Sequence, residues 1–223
     1  MKREIIETDD GSTTIHLPEW NESYHSKHGA IQEAYHVFIK NGFELFVGQP
    51  ISILEIGFGT GLNCFITYLE AKKNNQTINY TGVEAYPVTL EEVTQMNYAK
   101  VIEESQNSIF KQMHECNWEM KQVIATNFIL TKRKQLFQDI NDVDAFDLIY
   151  FDAFGFRVQP ELWSEELFVA MYKALKNNGV LVTYACRSSI KNAMLSAGFS
   201  VEKLPGAPGK REMLRATKAS QEN

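Results

Sequence analysis

Three glycines at alternate positions, preceded by a carboxylate, form the segment of this chain best suited to hold a cofactor. The segment, Glu55-Ile-Gly-Phe-Gly-Thr-Gly61, follows an apolar run at residues 51–54 and precedes a helix-like stretch at 62–73. Glycine allows a tight turn after a strand and brings bare backbone against a ligand, where a Cβ would collide. We therefore predict a cofactor loop whose backbone contacts come from Gly57, Gly59 and Gly61.

Two carboxylates flank this loop in the sequence. Glu55 opens the segment and can support the loop through its amide groups. Glu84 directly follows the apolar run of residues 78–83, and a carboxylate at the end of such a strand can accept hydrogen bonds from both hydroxyls of a ribose. The loop and Glu84 together indicate a cofactor that contains a nucleoside.

Other nucleotide-binding loops and a purely structural turn are the alternatives. A phosphate-binding P-loop has Lys-Ser or Lys-Thr after its last glycine, whereas Leu62 and Asn63 occupy those positions here. A dinucleotide loop has a third small residue for close packing of helix on strand, but the matching positions hold Leu62 or Cys64. The spacing Glu-x-Gly-x-Gly-x-Gly instead resembles the first motif of Rossmann-like methyltransferases that use S-adenosylmethionine.

Two more carboxylates follow apolar runs, and ligands of open α/β sheets bind beyond the carboxyl ends of the strands. Asp152 follows the buried-strand pattern of residues 146–151, so we predict that its carboxylate emerges where the cofactor meets a second substrate. A helix cap or a satisfied structural carboxylate is the alternative for Asp152. Asp139 follows a weaker strand signal between residues 128 and 137, and it is a candidate for contacting the adenine amino group.

The composition indicates one enzyme domain in a reducing compartment. With 223 residues, of which 44% are hydrophobic, the chain can bury a large core. Its three cysteines are widely separated and suggest neither a disulfide framework nor zinc ligands, so we predict no metal site. No apolar signal segment opens the chain and no run of about 18 apolar residues occurs, so we expect a cytoplasmic protein without a membrane partner.

The formal charge of −6 counts against nucleic-acid binding driven by net charge, since backbone phosphates are contacted by Lys and Arg. Short basic clusters can still make such contacts locally. They occur at residues 132–134, at Arg187 with Lys191, and at Lys210-Arg211 with Arg215. A solvated surface is the alternative interpretation for each cluster.

The order of the segments predicts an α/β fold with a mostly parallel sheet, helices on both faces and a C-terminal antiparallel strand pair. Together with the resemblance of the glycine motif, this implies a Rossmann-like S-adenosylmethionine-dependent methyltransferase fold. Strands are expected at residues 51–54, 78–83, 128–130, 146–151 and 180–184, and the closing pair at 199–204 and 212–217. Helices are expected at residues 62–73, 160–175 and 188–197, with a polar helix-rich stretch from 87 to about 125. The predicted units are an N-terminal hairpin and helix appendage (1–48), a Rossmann-like methyltransferase domain (49–218) and a tail (219–223).

Four segments together resemble a known family. They are residues 55–63, Phe151-Asp-Ala-Phe154, Trp163-Ser-Glu-Glu-Leu-Phe168 and Lys210-Arg-Glu-Met213. They resemble the methyltransferase domain of the tRNA 5-methylaminomethyl-2-thiouridine biosynthesis bifunctional protein, and residues 29–39 look like the short helix ahead of its glycine loop. The resemblance covers roughly residues 20–216. In the bifunctional members a FAD-dependent oxidase domain follows, whereas this sequence ends at Asn223. The resemblance therefore implies a stand-alone form that uses S-adenosyl-L-methionine.

This resemblance implies N-methylation of the 5-aminomethyl group of wobble 5-aminomethyl-2-thiouridine in tRNA. It assigns Asp152 to orienting the amine and accepting its proton, and Phe154 to stacking on the target uracil. Lys210 and Arg211 would contact the tRNA backbone, and a separate FAD-dependent oxidase is an implied partner beside tRNA. Two other hypotheses stay open: a related S-adenosylmethionine-dependent methyltransferase acting on a small molecule or protein, and a noncatalytic Rossmann-like binding module.

One segment departs from the family's pattern. After Asp-Ala-Phe the family often continues with small residues and a proline, whereas this chain has Gly155-Phe-Arg-Val-Gln-Pro160. Phe156 and Arg157 are therefore candidates for contacting the base or a phosphate, with local packing as the alternative.

Overall fold

The computed structural model describes residues 2–220 and contains two sheets of different size. The smaller sheet is antiparallel and consists of β1 (Glu4–Glu7), β2 (Thr13–Leu17) and β3 (Glu22–Ser23). A short helix, α1 (Ala30–Ala34), follows and continues as a wider helical turn over Tyr35–Lys40. These N-terminal elements share an apolar core with the larger sheet, because Ile15, Val37 and Phe38 are buried in it.

The larger sheet confirms the predicted fold class. Its eight strands are β4 (Ile51–Ile56), β5 (Ile78–Val83), β6 (Lys121–Ala125), β7 (Phe128–Arg133), β8 (Phe146–Phe151), β9 (Leu175–Thr183), β10 (Ser200–Pro205) and β11 (Glu212–Thr217). They lie in the order β10-β11-β9-β8-β4-β5-β7-β6. The five central strands from β9 to β7 run parallel, while β6 and the β11–β10 pair add antiparallel strands at the two edges. The predicted C-terminal antiparallel pair is therefore present.

Helices cover both faces of this sheet. They are α2 (Leu62–Lys73), α3 (Leu90–Thr94), α4 (Tyr98–Ile102), α5 (Asn107–Glu115), α6 (Glu165–Ala174) and α7 (Ser188–Ser196). Successive residues of a strand point to opposite faces. In β8, Leu148 and Tyr150 join the core that includes α2, whereas Ile149 and Phe151 join the core that includes α6 and α7. The two apolar cores therefore hold the strand ends at a fixed position.

The structure differs from two of the predicted helical segments, one at its end and one at its start. The stretch up to about residue 125 closes with strand β6, which sequence reasoning missed because Lys121 and Val123 are exposed on an edge strand and break the apolar alternation. The helix predicted to begin at residue 160 begins instead at Glu165, as α6. The Ser164 side chain caps this helix, because it accepts a hydrogen bond from Leu167 N at 3.3 Å. Strand β9 then starts at Leu175.

The basic triplet at residues 132–134 is not a simple solvated surface. Strand β7 continues into it, and Lys132 is only 1% exposed. Its ammonium donates to the carbonyl oxygen of His114 at 2.5 Å and lies 4.8 Å from the centre of the Trp118 ring. Because His114 is in the last turn of α5, the buried cation satisfies a carbonyl that the helix leaves without an internal partner.

The predicted unit boundaries stay predictions. Residues 2–48 contain the small sheet and α1, and residues 221–223 of the predicted tail lie outside the described residues. Within residues 2–220, no helix is long and apolar enough to cross a membrane.

Phe58 anchors the glycine loop to the larger sheet. The backbone N–H groups of Gly57 and Phe58 both donate to the carbonyl oxygen of Val83 at 3.0 Å. The Phe58 ring covers Gly82 of β5 so closely that a Cβ on Gly82 would lie 2.3 Å from its Cδ2 atom. The loop can therefore pack this close to β5 only because Gly82 has no side chain.

Replacing Gly82 with alanine is expected to lower the free energy of unfolding by about 1–3 kcal/mol, because the new methyl group displaces the Phe58 ring. Chemical denaturation measures this change. Asn79→Ala, at an exposed position of the same strand, is the control and should change stability by less than about 0.5 kcal/mol. A Gly82→Ala protein as stable as the control would contradict the anchoring role of Phe58.

Candidate active site

The glycine loop touches the residue that follows β8 at the carboxyl edge of the sheet. Gly57 has a φ of +89°, and a Cβ there would lie 2.5 Å from the carbonyl oxygen of Asp152. Gly59 has a φ of +48°, and its Cβ would lie 3.1 Å from the Tyr24 ring. Both positions combine left-handed backbone with a close neighbour, so glycine is required there. The loop thus passes between Asp152 and the N-terminal elements.

Glu84 follows β5, and two backbone N–H groups hold its carboxylate. Gly59 N donates to Oε2 at 3.0 Å, and Tyr86 N donates to Oε1 at 2.9 Å. A carboxylate has about four acceptor sites, so these two bonds leave capacity for hydroxyl groups of a ligand. The side chain that was predicted to bind a ribose is therefore already oriented by the loop.

A cavity of about 800 Å³ opens beside the loop. Gly57, Gly59, Glu84 and Asp152 all line it, as do residues 20–27 of the N-terminal elements. This volume lies within the usual range for small-molecule and cofactor sites. Four of the residues predicted to bind the cofactor or to take part in catalysis therefore share one cavity, and the N-terminal elements form one of its walls.

The segment after β7 reaches the cavity through residues other than Asp139. Leu136, Phe137 and Gln138 line the cavity, whereas Asp139 does not and is exposed. The three residues 137–139 form a tight 3-10 turn, which directs successive side chains to different sides. The structure thus contradicts the placement predicted for Asp139. The Gln138 amide offers both a donor and an acceptor at this place.

Asp152 lines the cavity, and its predicted catalytic role stays a prediction. Asn63 Nδ2 donates to its Oδ2 at 2.8 Å. Burial raises the pKa of Asp152 to about 7, and the Glu33 carboxylate contributes to the rise. The hydrogen bond from Asn63 and the Lys210 ammonium act on this pKa in the opposite direction. A carboxyl group with a pKa near neutrality can accept and release a proton at physiological pH.

Lys210 is turned into the cavity. Its ammonium pairs with Glu33 and lies 3.9 Å from the centre of the Tyr184 ring. Glu33 is only 7% exposed and also accepts a hydrogen bond from Ser26 N at 2.8 Å. This buried carboxylate draws the ammonium toward the cavity, but the Lys210 side chain is still 31% exposed, so its predicted contact with a tRNA backbone stays a prediction. Arg211 is exposed and does not line the cavity, so its predicted backbone contact stays a prediction.

An aromatic cluster forms part of the same wall. Phe154 meets the Trp20 ring edge-on at 5.6 Å between centroids and the Tyr24 ring at 5.0 Å. All three side chains line the cavity. Arg157 holds this wall to the loop after β8, because its Nη2 donates to the carbonyl oxygens of Trp20 at 2.7 Å and Asn21 at 3.1 Å. Local packing is thus the interpretation that fits Arg157.

Glu55 and Gly61 do not line the cavity, so their predicted roles at the cofactor site, loop support by Glu55 and backbone contact by Gly61, stay predictions. Glu55 is 1% exposed in β4, and its Oε2 accepts a hydrogen bond from the Tyr80 hydroxyl at 2.9 Å. Glu55 lies within the sheet because it is still part of β4, before the chain turns into the glycine loop. Gly61, with a φ of +72°, begins α2 at a point where a Cβ would lie 2.7 Å from His114 Nε2.

Sequence reasoning missed four residues that shape the site. They are Trp20, Tyr24, Glu33 and Asn63. Glu33 and Asn63 lie in segments that resemble the family, but no spacing rule relates either residue to Asp152. No sequence pattern indicated a role for Trp20 or Tyr24, because each contacts Phe154 across more than a hundred residues of sequence.

Comparisons with known proteins give the family of this chain. The sequence model of a family described as S-adenosyl-L-methionine-dependent methyltransferase matches residues 90–219. The tRNA 5-methylaminomethyl-2-thiouridine biosynthesis bifunctional protein MnmC of Polaromonas naphthalenivorans is 26% identical over 96% of this chain, which covers 36% of that relative. The protein of the same name from Leptospira borgpetersenii is 29% identical over 87% of this chain and 32% of its own length. This chain therefore spans about a third of the length of these relatives.

Two solved structures share the fold. The crystal structure of MnmC2 from Aquifex aeolicus has a TM-score of 0.77 at 22% identity, covering 99% of this chain and 73% of that one. Spermidine synthase from Thermotoga maritima has a TM-score of 0.56 at 15% identity, covering 97% and 69%. Both likenesses are likenesses of fold.

Asp152 is expected to make stability fall as the pH rises. Its pKa is higher in the folded protein than the ordinary 3.8, so between 3.8 and about 7 the folded state binds more protons than the unfolded state. Asp152→Asn removes this pH-dependent contribution to the free energy of unfolding. Its melting temperature should therefore exceed that of the wild type at about pH 8, and the difference should shrink toward about pH 5.

Asp139→Asn is the control for this measurement, since Asp139 is exposed and outside the cavity. Its melting temperature should follow that of the wild type at both pH values. An Asp152→Asn protein that is less stable than the wild type at about pH 8 would contradict the burial argument.

Proposed function

This chain belongs to the S-adenosyl-L-methionine-dependent methyltransferase family, and we propose that it methylates the 5-aminomethyl group of wobble 5-aminomethyl-2-thiouridine in tRNA. The product is 5-methylaminomethyl-2-thiouridine. The observation that carries the proposal is the single cavity that joins Glu84 to Asp152 and to an aromatic wall. The printed names of the relatives support the choice of substrate.

The residues around the loop fit S-adenosyl-L-methionine. Gly57 and Gly59 leave backbone without side chains, and a Cβ at either position would approach a neighbour. The oriented carboxylate of Glu84 would accept the two ribose hydroxyls. Phe137 and Gln138 line the cavity beyond Glu84 in sequence and would hold the adenine. These assignments rest on the position of each side chain in the cavity.

When bound, the cofactor supplies a sulfonium methyl group, which is already a strong electrophile. The protein's task is then positioning, because holding reacting atoms about 3–3.5 Å apart and in line can remove roughly 7–11 kcal/mol of the barrier. The contact of Gly57 with Asp152 supports such positioning, since it fixes the loop relative to the group that would orient the acceptor amine.

Asp152 would orient the acceptor amine and take its proton. A primary alkylamine is largely protonated at neutral pH and must present a lone pair to react. With a pKa of about 7, Asp152 is ionised in enough molecules to accept this proton without holding the ammonium too strongly. The Lys210 ammonium also faces the cavity, and a fixed cation disfavours a second cation nearby. Both groups favour the neutral, reactive amine.

The aromatic wall would receive the target base. Phe154, which packs in T-shaped geometry with Trp20 and Tyr24, would stack on a splayed-out uracil, and base stacking on an aromatic side chain contributes roughly 1–3 kcal/mol. Arg211 remains a candidate for contacting the tRNA backbone. A separate FAD-dependent oxidase as partner and a cytoplasmic location are further parts of the proposal.

Incubation with S-adenosylmethionine and tRNA from cells that lack this gene tests the substrate. Digestion to nucleosides and mass spectrometry should show the added methyl group on 5-aminomethyl-2-thiouridine. The rate should fall as the pH drops below about 7, where Asp152 becomes protonated. Asp152→Asn should lower kcat about 10²- to 10⁴-fold, whereas Asp139→Asn should not.

Methylation of a small molecule or a protein with none on the wobble uridine would overturn this substrate. Equal kcat values for Asp152→Asn and the wild type would overturn the role of Asp152.

Glu84→Ala tests the cofactor site separately. Loss of hydrogen bonds to a charged acceptor should weaken S-adenosylmethionine binding about 10- to 100-fold in isothermal titration calorimetry. Glu91→Ala, at an exposed position outside the cavity, is the matched control and should bind as the wild type does. Equal dissociation constants for Glu84→Ala and Glu91→Ala would contradict the ribose assignment.

A further inference from the structure

Three basic side chains near the cavity have no carboxylate partner, in a protein whose formal charge is −6. They are Arg187 directly before α7, Lys191 within α7, and Arg211 directly before β11. Arg187 and Arg211 are exposed, and Lys191 is partly exposed. Within residues 2–220, none of the three takes part in a salt bridge. We call these three residues the basic patch, and their charges are available to a partner.

The topology of the larger sheet brings the basic patch to the edge that holds the cavity. Strand β9 ends at Thr183, and Tyr184 after it lines the cavity. Arg187 follows shortly after Tyr184 in the same connection to α7. Strand β11 pairs antiparallel with β9, with Leu214 opposite Thr183, so Arg211 before β11 lies at the same edge. The basic patch is therefore beside the cavity and outside it.

One carboxylate shows that these charges act in the same place. A hydrogen bond from Lys203 lowers the pKa of Glu212, and the charges of Arg211 and Lys191 lower it further. Lys203 Nζ donates to Glu212 Oε2 at 2.8 Å, so this carboxylate already has a partner. Arg187 lies one helical turn before Lys191, whose backbone N–H donates to the Arg187 carbonyl oxygen at 3.0 Å. Positive charge is therefore in excess around Glu212.

An aromatic ring orients Arg187. The guanidinium lies 4.9 Å from the centre of the Phe156 ring. Phe156 packs against the core that includes α6 and α7, and it belongs to the segment in which this chain departs from the family's pattern. A guanidinium held over a ring loses less freedom when it binds, and its planar fork can donate two parallel hydrogen bonds to a phosphate. Arg187 is thus preorganised for an oxyanion.

We propose that the basic patch binds phosphate groups of the tRNA backbone while the wobble base occupies the cavity. Carboxylates of Glu33, Glu84 and Asp152 line the cavity and repel phosphates, so the backbone of a bound nucleic acid must be held outside it. The inference rests on the proposed function for the identity of the nucleic acid, and it adds Arg187 and Lys191 to the contacts of that substrate. The basic patch contributes to affinity for tRNA and does not touch the reacting atoms.

A triple variant and a triple control of equal charge test the basic patch. The patch variant carries Arg187→Gln, Lys191→Gln and Arg211→Gln. The control replaces exposed lysines of α2, α5 and β6 that neither line the cavity nor form salt bridges, and β6 is the edge strand farthest from β10. It carries Lys72→Gln, Lys111→Gln and Lys121→Gln.

Fluorescence anisotropy with labelled tRNA measures the dissociation constant at several salt concentrations. At about 50 mM salt the patch variant should bind tRNA about 10- to 100-fold more weakly than the wild type. The slope of log K against log salt should become shallower by about 2 to 3, because each lost phosphate contact releases fewer counterions. The control variant should keep the slope of the wild type and bind within about 3-fold of it.

Phe156→Leu tests the orientation of Arg187 separately from its charge. Loss of the ring should weaken tRNA binding about 2- to 5-fold and leave the salt slope unchanged, because no cation is removed. A Phe156→Leu protein that binds tRNA as tightly as the wild type would contradict the role of the ring.

Catalysis and cofactor binding give a second readout. The patch variant should raise the KM for tRNA with little change in kcat, and calorimetry should give the S-adenosylmethionine dissociation constant of the wild type, because none of the three residues lines the cavity. Equal tRNA dissociation constants and salt slopes for the patch and control variants would overturn the proposal, and so would a wild type that binds no tRNA. Weakened tRNA binding in the patch variant alone, with no methyl group on the wobble uridine in the wild type, would overturn only the proposed reaction.

Discussion

The close approach of Gly57 to the carbonyl oxygen of Asp152 is the contact on which the rest of the site depends. A Cβ at Gly57 would lie 2.5 Å from that oxygen, so the loop after β4 and the residue after β8 can meet only because glycine is there. Neighbouring parallel strands bring their carboxyl ends to one edge of a sheet, and this contact brings those ends together. The glycine loop and the carboxylate after β8 therefore share a cavity.

The charges in that cavity suit an amine acceptor better than a polyanion. Glu33, Glu84 and Asp152 contribute carboxylates to its wall, and Lys210 contributes an ammonium that Glu33 already holds. Burial of Asp152 beside Glu33 opposes the ionisation of Asp152. An ionised Asp152 therefore lowers the stability of the folded protein, at a position where a basic carboxylate would serve the proposed function. An acidic protein that acts on tRNA would then contact the phosphates through exposed cations outside the cavity, among which Arg211 is a candidate.

The sequence was sufficient to predict the parallel core of the fold and the residues fixed by strand ends. Gly57, Gly59, Glu84 and Asp152 could be placed at one cavity because each follows a strand whose apolar pattern is clear in the sequence. Local spacing could not show which way a side chain turns after the strand. Asp139 thus lies outside the cavity after a tight turn, and Lys210 pairs with a buried carboxylate 177 residues away, which no local pattern could indicate. Strand β6 was missed because an exposed edge lacks the apolar alternation of a buried strand.

A crystal structure with bound S-adenosylmethionine tests the central claim most directly, because the claim concerns where one molecule lies relative to two carboxylates. Our account predicts that the ribose hydroxyls contact the Glu84 carboxylate and that the sulfonium methyl group points toward the part of the cavity that Asp152 faces. Electron density for the cofactor elsewhere on the protein, or a methyl group directed away from Asp152, would contradict it.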